Sequence, residues 1–499
     1  MKYYNSLLLV LFMVLLAPVA SAEELSAAKT DTLSKQEAVQ AAINHFVSSP
    51  ALKNASVGVS VNRLDDNSVI GEYCPNQSQI TASTMKTVTS ATALSLLGKN
   101  YRFHTKMIAD GRINRKGHLE GDLVIKGGGD PTLGSGHLPE GISFIDRVIM
   151  SLKDKGVTEI KGNIVVDDTA NPSPSVPGSW MLEDLGYGYG TSVHGLNFSD
   201  NTLRLNYEIT KKGFNYSTVQ GQSYLKVINH CNVIEEENDS ISFYGPELRL
   251  DIDTDILHLY GNVKPHRGSM TIANPSPDLL LRDSLETALE AAGIKVKHYR
   301  IKASERAKAT ELLDYESATL GMIVNSLLVR SDNMFTECVL RAIAKNAGKQ
   351  STTENGVEVV KEFWKEKGVD VTGLFMIDGS GLSRTNKAPV SFFTQMLSIA
   401  HHELQQQGLN FYELFPVAGK DGTVKRVAAK TTASGKFAVK SGCMSHVQCY
   451  VGYYPVEKPE YTVAILINSF TCPRPELVKM VSEMLVNIDN ALAEKNVVE

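Results

Sequence analysis

Ser83 and Lys86 stand three residues apart in a stretch, Ala82 to Leu97, where Met85, Val88, Ala91, Leu94 and Leu96 have the spacing of a largely buried helix. Side chains at i and i+3 of a helix are neighbours, so the Lys86 amine can reach back to the Ser83 hydroxyl. A serine hydroxyl is a weak nucleophile until a base within hydrogen-bond reach takes its proton. Lys86 can be that base only when neutral, which needs its pKa to fall well below the roughly 10.4 of a free lysine. Burial does this, and so does a second cation nearby. Lys440, in Lys440-Ser441-Gly442, is the candidate second cation. Ser331-Asp332-Asn333 adds a hydroxyl able to relay a proton to a leaving amine and an amide, on Asn333, able to orient Lys86. Backbone N–H groups of Ser83 and Cys443 would stabilise an oxyanion. The chemistry this spells is acyl transfer through a covalent seryl intermediate. Each motif alone has a plainer reading: a helix N-cap, a surface lysine, a polar turn, a strand end. Their order and context carry the weight.

The elements that must position these groups are legible in outline. Lys35 to Ser48 has helical spacing. Ser56 to Asn62 alternates as a strand with Val57, Val59 and Val61 on one face, and Ser68 to Tyr73 returns after the turn residues Asp65-Asp66-Asn67. Leu320 to Val329 reads as a buried helix leading straight into Ser331. Lys436 to Met444, Gln448 to Tyr454 and Tyr461 to Ser469 suit adjacent antiparallel strands, with Lys440 on the first. A last helix, Pro475 to Ala493, carries an apolar stripe for packing on that sheet. About 250 residues separate the first two motifs, and their texture changes to short alternating segments. The reading is therefore a discontinuous catalytic unit, residues 23–104 and 275–499. Residues 105–274 form an inserted β-rich region of one or two small domains, ending at the linker Pro275-Ser276-Pro277. His401-His402 reads as solvated helix surface.

Lys2, the apolar run Leu7 to Ala17, Pro18 and Ala20-Ser21-Ala22 have the pattern of a secretory signal over residues 1–22. A run of eleven is short against the roughly 20 residues of a bilayer span, so an exported, periplasmic protein without a transmembrane anchor is expected. A length of 499 residues, 42% hydrophobic and 21% charged, indicates a globular chain of more than one domain. The net charge of −5, with no basic block, gives no footprint for nucleic acid. Six cysteines without a C-x-x-C pair give no structural metal site, and no cofactor is called for.

The three motifs resemble the S-x-x-K, S-D-N and K-T-G set of penicillin-binding proteins and serine β-lactamases. Gly127-Gly128-Gly129-Asp130-Pro131-Thr132, Asp378-Gly379-Ser380-Gly381-Leu382-Ser383-Arg384 and Pro416-Val417-Ala418-Gly419-Lys420-Asp421-Gly422-Thr423 narrow the resemblance. With them the chain is similar to D-alanyl-D-alanine carboxypeptidase/endopeptidases of the DacB type, the class C low-molecular-mass penicillin-binding proteins. The match runs along nearly the whole mature chain. The resemblance implies an α+β fold: a β-lactamase/transpeptidase-like domain, an antiparallel sheet flanked by helices, with a large β-rich insertion. It implies a penicillin-binding serine D,D-peptidase acting on peptidoglycan stem peptides, with β-lactams as inhibitors. Ser83 would be the acylated nucleophile, Lys86 its base, and Ser331, Asn333 and Lys440 the proton-handling set. Ser441 and Gly442 would take the place of the Thr and Gly of K-T-G, with Ser441 holding the terminal carboxylate. Asp184, with Glu183 as rival, would grip the ammonium of a diaminopimelate-type stem, Arg384 its carboxylate, and Met444 its aliphatic chain.

Two positions depart from the pattern. Ser441 replaces Thr and keeps the hydroxyl. Cys443 stands where Thr or Ser is usual, and a thiol is a poor donor. Cys443 and Cys449 lie symmetrically about a turn at His446, which suggests a disulfide across a hairpin in an exported protein. A β-lactamase and a catalytically silent peptidoglycan-binding protein are the alternatives. The long insertion disfavours the first, and the intact Ser83, Lys86, Asn333 and Lys440 disfavour the second. Oligomeric state and the balance of carboxypeptidase to endopeptidase activity stay open.

Overall fold

Strands Ala438–Met444, Val447–Tyr454, Tyr461–Asn468, Ser56–Arg63 and Val69–Tyr73 form, in that spatial order, a five-stranded antiparallel sheet. The computed structural model describes residues 22–493 apart from 140, 173, 219–223, 235–245, 252–253 and 301–308. The expected signal at 1–22 lies outside them but for Ala22, the first residue of a helix. In chain order the helices are α1 (Ala22–Val47), α2 (Met85–Leu97), α3 (Phe144–Asp154), α4 (Pro277–Ala291), α5 (Leu320–Arg330), α6 (Asn333–Asn346), α7 (Thr353–Glu366), α8 (Val390–Gln406) and α9 (Arg474–Leu492).

Both faces of this sheet are covered. Val57, Val59, Val61, Val463, Ile465 and Ile467 pack with Val39 and Ile43 of α1 and Leu477, Val481 and Leu485 of α9. Ala438, Val451, Ala464 and Leu466 point the other way, into a core with Val88 of α2, Phe335 and Val339 of α6, and Phe393 and Leu397 of α8. Burial on both sides explains why Tyr461–Asn468 is a continuous buried run. The strand Ser56–Arg63, expected to be apolar on one face, is buried from Val57 to Asn62.

The inserted region has its own core. Strands His104–Ile113 and His118–Lys126 lead a six-stranded sheet covered by α3 and α4, whose Phe144, Val148, Leu281 and Leu285 are buried among Leu119, Leu123 and Ile125. Two three-stranded sheets follow, 202–210 with 213–218 and 266–273, and 226–229 with 247–251 and 256–260. This body does not end at residue 274. Strand Thr310–Glu316 pairs antiparallel with His104–Ile113, and Lys295–Val296 pairs with Glu159–Ile160. Pro275-Ser276-Pro277 is the entry to α4, with Pro277 in its first turn, instead of an interdomain linker.

Two further expectations are corrected. The hairpin register pairs Cys443 with Gln448 and Gly442 with Cys449. That one-residue offset sends the two cysteines to opposite faces. Cys443 is exposed, Cys449 is buried, and both are free thiols. His401 is buried within α8 beside Tyr412 and Tyr453, not solvated, while Nε2 of His402 lies 3.2 Å from the Leu64 carbonyl.

Candidate active site

The nucleophile turn is held from both sides. Ser83 lies in a 3-10 turn, Ala82–Thr84, that runs into α2, and Ala82 has a left-handed φ of 44°. Gly381, itself at φ 79°, lets its loop close on this turn: a Cβ there would sit 1.9 Å from the Ala82 carbonyl oxygen. On the other side runs strand Ala438–Met444. A Cβ on Gly442 would lie 2.7 Å from the Thr81 carbonyl oxygen and 3.0 Å from the Ser83 nitrogen. Glycine at these two positions allows three segments to converge on one hydroxyl.

Lys86 is fully buried, and its Nζ donates toward three oxygens: Ser83 Oγ at 2.9 Å, Asn333 Oδ1 at 2.5 Å and the Ser380 carbonyl at 2.7 Å. The Asn333 amide is oriented by its Nδ2, which donates to the Tyr189 carbonyl at 2.7 Å. Two of the three oxygens belong to carbonyls and can only accept. A neutral Lys86 amine therefore spends both N–H groups on them and turns its lone pair to Ser83 Oγ. That is the orientation a base requires.

The second motif joins two helices. Ser331 caps α5 in a left-handed conformation, Asp332 is the N-cap of α6 and accepts from the Phe335 nitrogen at 3.0 Å, and Asn333 begins the helix. Ser331 Oγ accepts from Lys440 Nζ at 3.0 Å, and Lys440, also fully buried, donates to the Ser441 carbonyl at 2.5 Å. Burial pulls the Lys86 ammonium down to about 8, against the opposing charges of Asp378, Asp332 and Glu337. Lys440 is pulled well below the ordinary lysine range by burial and then by the charge of Lys86. Three acidic side chains act on Lys86, whereas the charge of Lys86 itself acts on Lys440.

The cleft over these residues encloses about 1170 Å³ and is lined by Ser83, Ser331, Thr423, Ser441 and Cys443 before running on to Val478 and Ser482 of α9. Residues 39–490 match the model of the D-Ala-D-Ala carboxypeptidase 3 (S13) family. The chain belongs to that family. The expectations of a serine-type D-Ala-D-Ala carboxypeptidase and of a transpeptidase-like α+β fold are met. A D-alanyl-D-alanine carboxypeptidase of an Actinomadura species is 27% identical over 454 residues, 87% of this chain and 81% of the relative. The D-alanyl-D-alanine carboxypeptidase DacB of Haemophilus influenzae is 24% identical over 383 residues, 74% of this chain and 76% of its own. The crystal structure of penicillin binding protein 4 (dacB) from Haemophilus influenzae shares the fold, with a TM-score of 0.73 at 20% identity over 88% of this chain and 97% of that one.

In this family member a wall from the insertion meets the site at Tyr189 and Trp180. Asp184 accepts from the Tyr189 hydroxyl at 2.9 Å, and burial raises its carboxyl above the usual aspartate range. Arg384 is paired with Glu183 at 2.6 Å, and its charge also acts on Asp184. Met444, at the end of its strand, packs against the catalytic core. Sequence reasoning missed three participants. Thr423 Oγ1 lies 2.6 Å from Ser441 Oγ and faces the same cleft. Arg474, first in α9, contacts Cys443 Sγ and donates to Gln448 Oε1 at 2.8 Å. Glu337 of α6 is fully buried beside the lysines. Thr423 lay in a segment already singled out, whereas α6 gave no motif beyond Asn333.

Proposed function

We propose that this S13 enzyme cleaves D-Ala-D-Ala stems and D-Ala–diamino acid crosslinks of peptidoglycan through an acyl-enzyme on Ser83. The observation that carries this reading is Lys86 Nζ, held by two carbonyl oxygens with its remaining direction on Ser83 Oγ. Ser83 Oγ attacks the carbonyl carbon of the penultimate D-Ala while Lys86 takes its proton. The backbone N–H groups of Ser83 and Cys443 receive the oxyanion. The leaving amine takes a proton from Ser331, which is restored through the Lys440 and Lys86 pair, so the proton lost by Ser83 leaves on the amine. Water then attacks the ester by the same route reversed, and Ser83 recovers its hydrogen.

Ser441 and Thr423 hydroxyls hold the terminal carboxylate, which makes good the hydroxyl that Cys443 lacks. Asp184 and Arg384 receive the ammonium and carboxylate of the stem's diamino acid, Arg384 exchanging Glu183 for substrate, and Met444 lies along the aliphatic chain. A Haemophilus penicillin binding protein 4 of the same fold is known in complex with a β-lactam, which supports β-lactams as acylating inhibitors here. Export to the periplasm, with residues 1–22 as signal, fits a cell-wall substrate. Among the described residues, no helix is long and apolar enough to cross a membrane. Purified enzyme should release D-alanine from a synthetic pentapeptide stem and split crosslinked dimers, and Ser83→Ala should do neither. Turnover of both substrates by Ser83→Ala would refute the reading.

A further inference from the structure

Glu337 is a buried acid at the site that the mechanism does not use. It lies one turn beyond Asn333 on the same face of α6, and its side chain has no exposure. Oε1 accepts from the Ser380 nitrogen at 2.7 Å. The carbonyl of that same residue accepts from Lys86 Nζ at 2.7 Å. Oε2 is buried, and the Ser380 hydroxyl and the Gly379 nitrogen are the other donors that approach the carboxyl.

Its neighbour Asp378 is the opposite case. Asp378 Oδ1 accepts from the Gly381 nitrogen and Asn386 Nδ2, both at 2.7 Å, and Oδ2 from the Ser383 nitrogen at 2.7 Å and Trp180 Nε1 at 2.9 Å. Four donors satisfy both of its oxygens. A second charge on Glu337, fully buried and facing another carboxylate, is costly. Burial first, then the charge of Asp378, raise the Glu337 carboxyl to about 7. The groups facing Glu337 and Lys86 are few. Asp378 stands in the loop, Asp332 at the N-cap of α6, Cys338 and Arg341 further along that helix, and Lys440 on the strand. The two acids thus divide the work: Asp378 fixes the shape of the 378–386 loop, while Glu337 is free to change charge across the Ser380 segment from the base.

We propose that Glu337 is a positioning residue that, acting through the Ser380 segment, tunes the protonation of Lys86 beside the stronger effects of burial, Asp378 and Asp332. The proposal rests on Lys86 being the base that activates Ser83. An ionised Glu337 favours the Lys86 ammonium, and a neutral one favours the free amine. Removing the ionisable group while keeping an acceptor for the Ser380 nitrogen should therefore let Lys86 act as base at lower pH.

The test is the pH dependence of the rate of acylation by benzylpenicillin in wild type, Glu337→Gln and Glu337→Asp. Wild type should gain rate with a midpoint near 8. Glu337→Gln should move that midpoint down by less than about one pH unit, since Asp378 and Asp332 act on Lys86 more strongly than Glu337 does. Glu337→Asp, which keeps an acid, should stay nearer wild type. A midpoint unmoved in Glu337→Gln, with only the plateau reduced, would show a purely structural role and overturn the proposal. A wild-type rate that does not rise through this range would overturn both this proposal and the role of Lys86. If the variants do not fold, infrared difference spectra of wild type titrated through neutral pH decide. A buried carboxyl C=O band that disappears supports the proposal, and its absence refutes it.

Discussion

At the scale of single residues, the site is a set of buried charges with unequal surroundings. Lys86 has carboxylates around it and holds its proton to about 8, so the proposed service of Lys86 as a base would begin only as pH climbs through that value. Below it the amine is an ammonium with no lone pair for Ser83. The sign is fixed: acylation should quicken with rising pH on this limb. Replacing Lys86 by Ala should slow acylation by about 10²–10⁴, the usual worth of a positioned general base, as measured by stopped-flow nitrocefin binding. The hydroxyl pair is testable separately. Thr423→Val removes one hydrogen bond to the substrate carboxylate and should raise KM for a stem peptide about ten- to a hundredfold with kcat little changed, since such a bond to a charged group is worth about 1.5–3 kcal/mol. Ser441→Ala combined with it should fall short of additivity, because the two oxygens share one geometry at 2.6 Å.

At the scale of elements, the convergence of the Gly381 loop, α2 and strand Ala438–Met444 explains why a weak nucleophile is so tightly fixed. Gly381→Ala would place a methyl on the Ala82 carbonyl and force a left-handed alanine. Backbone strain alone costs about 1–3 kcal/mol, and chemical denaturation should show at least that loss together with slowed acylation. The strands and most helices near the motifs were legible because their apolar periods are strong, and Leu320–Arg330 running into Ser331 is an example. What failed was register and partnership. Symmetry about His446 suggested Cys443 opposite Cys449, but a hairpin slips by whole residues without changing composition. His401 reads as polar in sequence, yet three aromatic rings and a helix face enclose it. Glu337 and Ser380 are 43 residues apart in sequence, and no spacing rule announces that the nitrogen of one would meet the carboxyl of the other.

At the scale of the whole molecule, the insertion is part of the active site's wall. Trp180 donates to the buried Asp378, Asn333 donates to Tyr189, and Glu183 pairs with Arg384. Trp180→Phe leaves one oxygen of Asp378 short of a donor. The expected result is faster hydrogen exchange over 378–386, since Oδ2 keeps only the Ser383 nitrogen and one buried hydrogen bond is worth about 0.5–1.5 kcal/mol. That the insertion extends to Glu316 was hidden because a proline pair that looked like a linker is the start of α4, and strand pairing across 200 residues leaves no local mark. The family membership and the transpeptidase-like fold, by contrast, were readable from three short motifs in fixed order together with the segments 127–132, 378–384 and 416–423. The central claim is that Ser83 is the acylated residue of a working peptidase. Intact-protein mass spectrometry after exposure to benzylpenicillin tests it most directly, beside Ser83→Ala. A single stable adduct on wild type, absent from the variant, is the predicted result. No adduct and no drug consumption by wild type, or an adduct that persists in Ser83→Ala, would contradict it.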